Sequence, residues 1–176
     1  MTKLYLVRHG ETFDNAAQIM QGQTQGRLNA AGIRQGELLR DRMKDEPIDA
    51  FVSSDLYRSF QMCQMIAEPH HRQVVRTPLL RERDWGDFTG KYIPDLQGKP
   101  FPQNVETIEQ MKERARAFLA WINEHFEHQI VLAVGHGIIN KTIQSVFFDL
   151  PMNEVQRMTN AEVRILTWWN PHLSPE

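Results

Sequence analysis

The sequence predicts an α/β fold, a three-layer α/β/α sandwich with a mostly parallel central sheet, and three observations carry that reading. Residues 4–7 (Leu-Tyr-Leu-Val) and 130–134 (Ile-Val-Leu-Ala-Val) are short apolar runs without polar alternation, as in strands buried on both faces. Ile108, Met111, Ala115, Phe118, Leu119, Ile122 and Phe126 recur at a helical period over residues 107–126. Strand-like and helix-like segments alternate along the chain, which is the pattern of a parallel sheet with crossover helices. The 176 residues are expected to form a single domain over 1–176, with the first strand central in the sheet.

The elements follow in order. Residues 13–27 are rich in Gln, Gly, Asn and Thr and read as one long loop, a length that is usually functional. Asn29 suits a helix N-cap, with Leu38, Leu39 and Met43 on the apolar side of that helix. Gly32 and Gly36 on it imply close packing against the sheet. Pro47 ends this region, and residues 48–52 form the second strand. Ser53-Ser54-Asp55 then reads as a helix cap, the helix covering 57–66, so Arg58 sits in the first turn beside that strand's end. Residues 74–76 make a small third strand before Leu79-Leu80-Arg81-Glu82. Glycines 86, 90 and 98 and prolines 94, 100 and 102 mark 85–106 as a short lid without a regular element. Thr107 and Gln110 fit a capping box for the long helix. After the strand at 130–134 come Gly135-His136-Gly137, an apolar helix over 138–148 and a last strand over 163–168.

Composition narrows the function classes. A net charge of −2 supplies no field that would recruit nucleic acid or a membrane surface. No apolar stretch approaches the ~20 residues that span a bilayer, and the opening strand leaves no room for a leader peptide. A cytoplasmic location is therefore expected, and nothing in the sequence indicates a homo-oligomer. Cys63 is the only cysteine, which excludes a disulfide framework and a thiolate metal site. With Met62 and Met65 beside it, it reads as a packing residue. His125 and His128 stand three apart near the end of the long helix, where the helix dipole favours surface histidines over a metal pair.

Two strand ends carry the same device, Arg8-His9-Gly10 and Gly135-His136-Gly137. Ligands of open α/β sheets bind beyond the carboxyl ends of the strands. Gly10 would let the backbone turn and approach a ligand closely, and Arg58 is what a third strand end would contribute. Two arginines, two histidines and the helix N-termini after two strands suit a compact dianion, with phosphate the common one. Two histidines and a carboxylate also suit a metal, but Arg8 and Arg58 would crowd a divalent cation with like charge, so no metal and no cofactor are expected. Phosphoryl transfer without a metal needs a nucleophile, charge stabilisation and an acid for the leaving oxygen. His9 can attack as the neutral imidazole, and Glu82 can be the acid.

Leu-Val-Arg-His-Gly-Glu-Thr at residues 6–12 resembles the signature of the histidine phosphatase superfamily, which includes the cofactor-dependent phosphoglycerate mutases. The resemblance continues through Asn15, Gln21-Gly22, Ser53-Ser54-Asp55-Leu56-x-Arg58 and Leu80-Arg81-Glu82-x-x-x-Gly86-x-Phe88-x-Gly90. It ends at Val134-Gly135-His136-Gly137 and so covers most of the chain in order. It implies a phosphoglycerate mutase-like fold and a phosphohistidine on His9, with Glu82 the acid-base residue and His136 a further member of the catalytic set. Arg8, Asn15, Arg58 and Gly137 would bind the phosphoryl group, and Gln21 and Gly22 would line the substrate loop. Asp87-Phe88-Thr89-Gly90 stands where the family often has Trp-Glu-Gly, and Gln103-Asn104-Val105-Glu106-Thr107 where it often has Gly-Gly-Glu-Ser, so lid shape is the point of departure.

The expected activity is a metal-independent phosphomonoesterase acting on small phosphorylated metabolites. The competing readings are a phosphoglycerate mutase and a phosphate-binding regulatory module without turnover. The short lid, with Lys91 and Lys99 its only cations, speaks against the mutase, which must retain a bisphosphorylated intermediate away from water.

Overall fold

The computed structural model describes residues 1–169, so the end of the expected 1–176 domain lies outside the described residues. Five strands form one sheet in the order β3-β2-β4-β1-β5. They are β1 (Thr2–Arg8), β2 (Ala50–Ser54), β3 (Val74–Thr77), β4 (Ile130–Gly135) and β5 (Val163–Trp168). The first four are parallel, and β5 runs antiparallel against β1. β4, and not β1 as expected, is the middle strand of the five, while β1 is the next interior strand, between β4 and β5. The two apolar runs are thus adjacent, in register from Leu4 against Val131 to Val7 against Val134.

The two faces of the sheet bury different side chains, as the period of two along a strand requires. Leu4, Leu6, Val131 and Ala133 pack with α4 (Ile108–His125) and α5 (Gly137–Phe148). Tyr5, Val7, Leu132 and Val134 pack with α2 (Ala30–Met43) and α3 (Tyr57–Ala67). The capping box of α4 is present, Thr107 Oγ1 accepting from the Gln110 N–H and the Gln110 side chain from the Thr107 N–H. Among the described residues no helix is long and apolar enough to cross a membrane.

Several expectations shift. The loop over 13–27 opens with a one-turn helix, α1 (Phe13–Ala17), closed by its own capping box between Thr12 and Asn15. The second strand covers Ala50–Ser54, not 48–52, because pairing with β4 begins at Ala50 against Val131. Ser53 and Ser54 therefore lie in the strand, and the N-cap of α3 is Leu56, without a side-chain cap. Gln25 does that work instead, its side-chain oxygen accepting from the Tyr57 N–H and its carbonyl from the Arg58 N–H.

The lid is more ordered than expected, with 3₁₀ turns at Gly86–Phe88 and Ile93–Leu96. It is stitched to residues 18–20 by Met20 N–H to Lys91 O, Gly90 N–H to Met20 O and Ile93 N–H to Gln18 O. Gly32 and Gly36 pack closely, but not on the sheet. A Cβ on Gly32 would stand 2.0 Å from the Glu11 carbonyl oxygen, and one on Gly36 would stand 2.9 Å from Met65 of α3. Gly10 likewise makes room for Gly32, whose carbonyl oxygen would be 2.8 Å from an added Cβ, and not for a ligand.

Candidate active site

The carboxyl ends of β1, β2 and β4 deliver His9, Ser54 with Arg58 just beyond it, and His136 to one edge of the sheet. His9 is 3 % exposed and meets His136 edge-on, with ring centroids 5.0 Å apart. Its Nδ1 lies 2.7 Å from the Gly10 carbonyl oxygen. A carbonyl only accepts, so Nδ1 carries the proton and Nε2 keeps the lone pair. Burial, then the Arg58 charge, push the His9 imidazole down to about 3, with Arg8 adding to the effect against the Gly10 hydrogen bond. His9 is neutral throughout the physiological range.

His136 is held well below its ordinary range by burial first and then by the Arg58 charge. Its Nε2 sits 2.6 Å from Ser54 Oγ, which also accepts the Leu56 N–H at 3.2 Å. With that lone pair occupied, the arrangement that satisfies both groups has the hydroxyl donate to Nε2. The imidazole proton is then on Nδ1, a buried atom without a partner. Gly135 clears space for Asn140, whose side-chain oxygen would be 2.2 Å from an added Cβ.

Arg58 is 1 % exposed, and burial lowers its guanidinium to about 10, opposed most strongly by Glu82. Its two terminal nitrogens donate to the carbonyls of Gly22, Thr24 and Gln25, so it clasps the loop that carries Gln21 and Gly22. Arg8 donates to the Met158 carbonyl at 2.7 Å. Four buried side-chain N or O atoms lack a hydrogen-bond partner among the described residues, and three of them are Arg8 Nε, Arg58 Nε and His136 Nδ1. Three orphaned donors in the same corner of a protein interior are a large cost unless an acceptor fills the space between them.

Two of these residues, Arg8 and Arg58, line an inner chamber of about 180 Å³ together with His9, Asn15, Glu82 and Gly137, with Gln21 and Gly22 also on its wall. The structure thus brings together every residue predicted for the site except His136, which is not on the wall but meets the His9 ring edge-on. Asn15 has a structural duty as well, its Oδ1 accepting the Thr12 N–H. Glu82 is half-buried, and its carboxylate accepts the N–H groups of Arg83, Ile138 and Ile139. It therefore caps the N-terminus of α5 beside the chamber.

The inner chamber opens into an outer vestibule of about 850 Å³. One side is the lid, with Trp85, Phe88, Ile93 and Phe101, and the other is the segment before β5, with Arg157 to Asn160. Arg83 lies over the rings of Trp85 and Phe101, at 4.6 and 5.4 Å. No group of three His, Cys, Asp or Glu that could hold a metal ion exists among the described residues. His125 bonds the Trp121 carbonyl, and His128 meets the chain's N-terminus. Cys63 is buried, its thiol pushed up by burial and directed at the Val52 carbonyl.

The profile of the histidine phosphatase superfamily (branch 1) matches residues 4–174. The chain belongs to this family. A Bacillus subtilis protein named as an uncharacterized phosphatase, PhoE, is 34% identical over 166 residues, covering 92% of this chain and 86% of the relative. A Proteus mirabilis protein named for phosphoglycerate mutase, GpmB, is 34% identical over 173 residues, covering 90% and 80%. The solved structure of Bacillus stearothermophilus YhfR superposes with a TM-score of 0.87 at 27% identity, covering 94% of this chain and 90% of that one.

Family motifs point to His9, Arg58, Glu82 and His136, and three further contributors are absent from the site residues read from the sequence. Arg157 lines both cavities from a stretch with no motif. Arg114 ties the carbonyls of Leu79 and Arg81 to the Glu106 carboxylate, which itself receives the Asp84 N–H, and so fixes the segment that carries Glu82. Ser54 lay inside a recognised motif but reads in sequence as a helix cap. Its place in β2 is what turns it toward His136.

Proposed function

We propose that this protein hydrolyses phosphate monoesters through a phosphohistidine on His9, without a metal. The observation that carries the proposal is the pair of orphaned donors, Arg8 Nε and Arg58 Nε, on residues that line one chamber with His9, a neutral imidazole. A phosphoryl group has the size, the charge and the three oxygens to satisfy them. His9 Nε2 attacks phosphorus, the bond to the ester oxygen breaks, and protonated Glu82 gives its proton to that oxygen. Glu82, now a carboxylate, takes a proton from water as the water attacks phosphorus. The P–N bond breaks, releasing inorganic phosphate and returning neutral His9. The name of the Bacillus subtilis relative supports the same reading.

Rapid alkaline quench of enzyme mixed with a ³²P-labelled monoester should trap label on the protein, alkali-stable and lost on acidification as a phosphoramidate is. His9→Ala should lose the label and at least ~10³-fold in turnover, because the remaining groups only bind and polarise. Glu82→Gln should slow alkyl phosphates far more than activated aryl phosphates, since only the former need a proton on the leaving oxygen. Label retained in His9→Ala, or turnover abolished by a chelator, sinks the mechanism.

A second reading, a phosphoglycerate mutase, is favoured by the names of the GpmB relatives. Interconversion of 2- and 3-phosphoglycerate faster than phosphate release, and stimulated by 2,3-bisphosphoglycerate, would establish it in place of hydrolysis.

A further inference from the structure

We infer that Arg157 is a specificity residue that binds a second anionic group of the substrate, a carboxylate or a further phosphate close to the transferred phosphoryl group. The inference rests on the phosphatase reading of the chamber. Arg157 is exposed and sits where the two cavities join, since it lines both. A Cβ added to Gly137 would stand 3.4 Å from Arg8 Cζ and 3.4 Å from Arg157 Nε. The two guanidinium groups therefore flank the same first residue of α5.

No carboxylate forms an ion pair with Arg157 among the described residues, and none pairs with Arg8. Arg8 feels this neighbour, its guanidinium being lowered by burial first and by the Arg157 charge next, against weaker opposing pulls from Glu82 and Glu162. Two guanidinium groups side by side, neither closed by an ion pair, suit an anionic ligand.

The inner chamber already offers Arg8 and Arg58 to the transferred phosphoryl dianion, with Glu82 on the same wall. Arg157 is a further guanidinium toward the vestibule, and a second anion on the substrate is its complement. Of the two, Arg8 reaches deeper, with its Nε buried, whereas Arg157 stands at the mouth, on the side where the leaving group departs. Neither lid cation, Lys91 or Lys99, lines the vestibule, whereas Arg157 lines it from the opposite wall.

The test uses a matched pair, 3-phosphoglycerate and glycerol 3-phosphate, which differ by a carboxylate in place of a hydroxymethyl group. Wild-type enzyme should favour 3-phosphoglycerate in kcat/KM, and Arg157→Ala should reduce that ratio about tenfold or more, as loss of a charge-assisted hydrogen bond does. Arg157→Lys should restore part of the ratio, keeping the charge without the planar fork. Equal losses on both substrates would place Arg157 on the transferred phosphoryl group, and unaltered kcat/KM on both would make it a solvated side chain. Either result overturns the inference.

Calorimetric titration of the same pair into His9→Ala protein, with and without Arg157→Ala, reads the preference without turnover. A preference for 3-phosphoglycerate there, lost on removing Arg157, would uphold the inference even if the wild-type protein released no phosphate. Absence of turnover from every ester would count against the phosphatase reading alone.

Discussion

The inner chamber and the outer vestibule share a wall but are built differently. The chamber is made at the ends of three neighbouring parallel strands, and its key side chains are buried and fixed by backbone partners: His9 by Gly10, Arg58 by the loop at 22–25 and Glu82 by the start of α5. The vestibule is made by two segments that cross the opening. These are the lid with its aromatic rings, and residues 157–160, among which Arg157 and Thr159 are exposed. The difference teaches a division of labour. Groups that must meet phosphorus at hydrogen-bond precision stand on the sheet, whereas groups that select the leaving group stand on parts that can vary without disturbing the core.

Arg58→Ala is the change that should damage the chamber most. It removes an anion ligand and also leaves the carbonyls of Gly22 and Thr24 without their side-chain donor. Turnover should fall by roughly 10²–10³, as for loss of a preorganised donor to the developing charge. Vanadate affinity should fall with it, and urea unfolding should show reduced stability. Unaltered vanadate binding in a folded variant would remove Arg58 from the anion site and leave it as a loop clasp only.

The neutral histidines make a pH prediction that belongs to the chamber alone. Folded, His9 takes its proton near pH 3, and unfolded near its ordinary 6.5. Between those values the unfolded chain binds more protons, so stability is fully present above 6.5 and is lost as pH falls toward 3. The slope approaches about 1.4 kcal/mol per pH unit for each such histidine, and His136 acts in the same direction. Urea midpoints in phosphate-free buffer at pH 7 and pH 5 measure it. A midpoint that stays constant or rises toward pH 5 would mean that the two rings are solvated.

Ser54→Ala tests how finely the chamber is set. Without the hydroxyl, His136 is free to put its proton on Nε2, leaving a lone pair on its unpartnered Nδ1 and changing the ring that packs against His9. A loss of roughly 10–100-fold in turnover is expected, the scale of one charge-assisted hydrogen bond, with partial rescue by Ser54→Thr. Imidazole ¹⁵N shifts should report Nδ1–H for His136 in the wild-type protein and a change in tautomer in the variant. An unaltered tautomer accompanied by full loss of activity would assign Ser54 a packing role.

The same contrast explains what the sequence discloses. β1 and β4 are legible because burial on both faces demands an unbroken apolar run, and the residues that follow such runs are thereby placed at the sheet edge. The central position of β4 is not legible, since strand order depends on pairings between distant segments. Ser54 was misplaced because serine is as common in a cap as at a strand end, and only the register against β4 decides. The one-turn helix at 13–17 was hidden by its lack of a buried apolar face, since it has no buried residue and rests on the Thr12–Asn15 capping box. Arg157 has no local signal at all. It reaches the site because Arg8 holds this distant segment, its side chain donating to the Met158 carbonyl and its own carbonyl accepting the Ala161 N–H.

Phe101→Ala should have the smallest effect and confines itself to the vestibule. Phe101 is 58 % exposed, which is costly for a ring unless something apolar comes to rest on it. It stands edge-to-face against both Trp85 and Phe88, with centroids 5.5 and 5.8 Å apart. Removing it leaves the contact between Arg83 and Trp85 in place and leaves every chamber residue untouched. An aryl leaving group would lose one ring partner, a contact of about 0.5–1.5 kcal/mol, so KM for phenyl phosphate should rise roughly 3–10-fold. Glycerol 3-phosphate, which offers no ring, should show a clearly smaller rise, and inhibition by inorganic phosphate should follow glycerol 3-phosphate, not phenyl phosphate. If phosphate inhibition weakened as much as phenyl phosphate binding, the lid would be shaping the chamber itself, and the two regions could not be treated as separable.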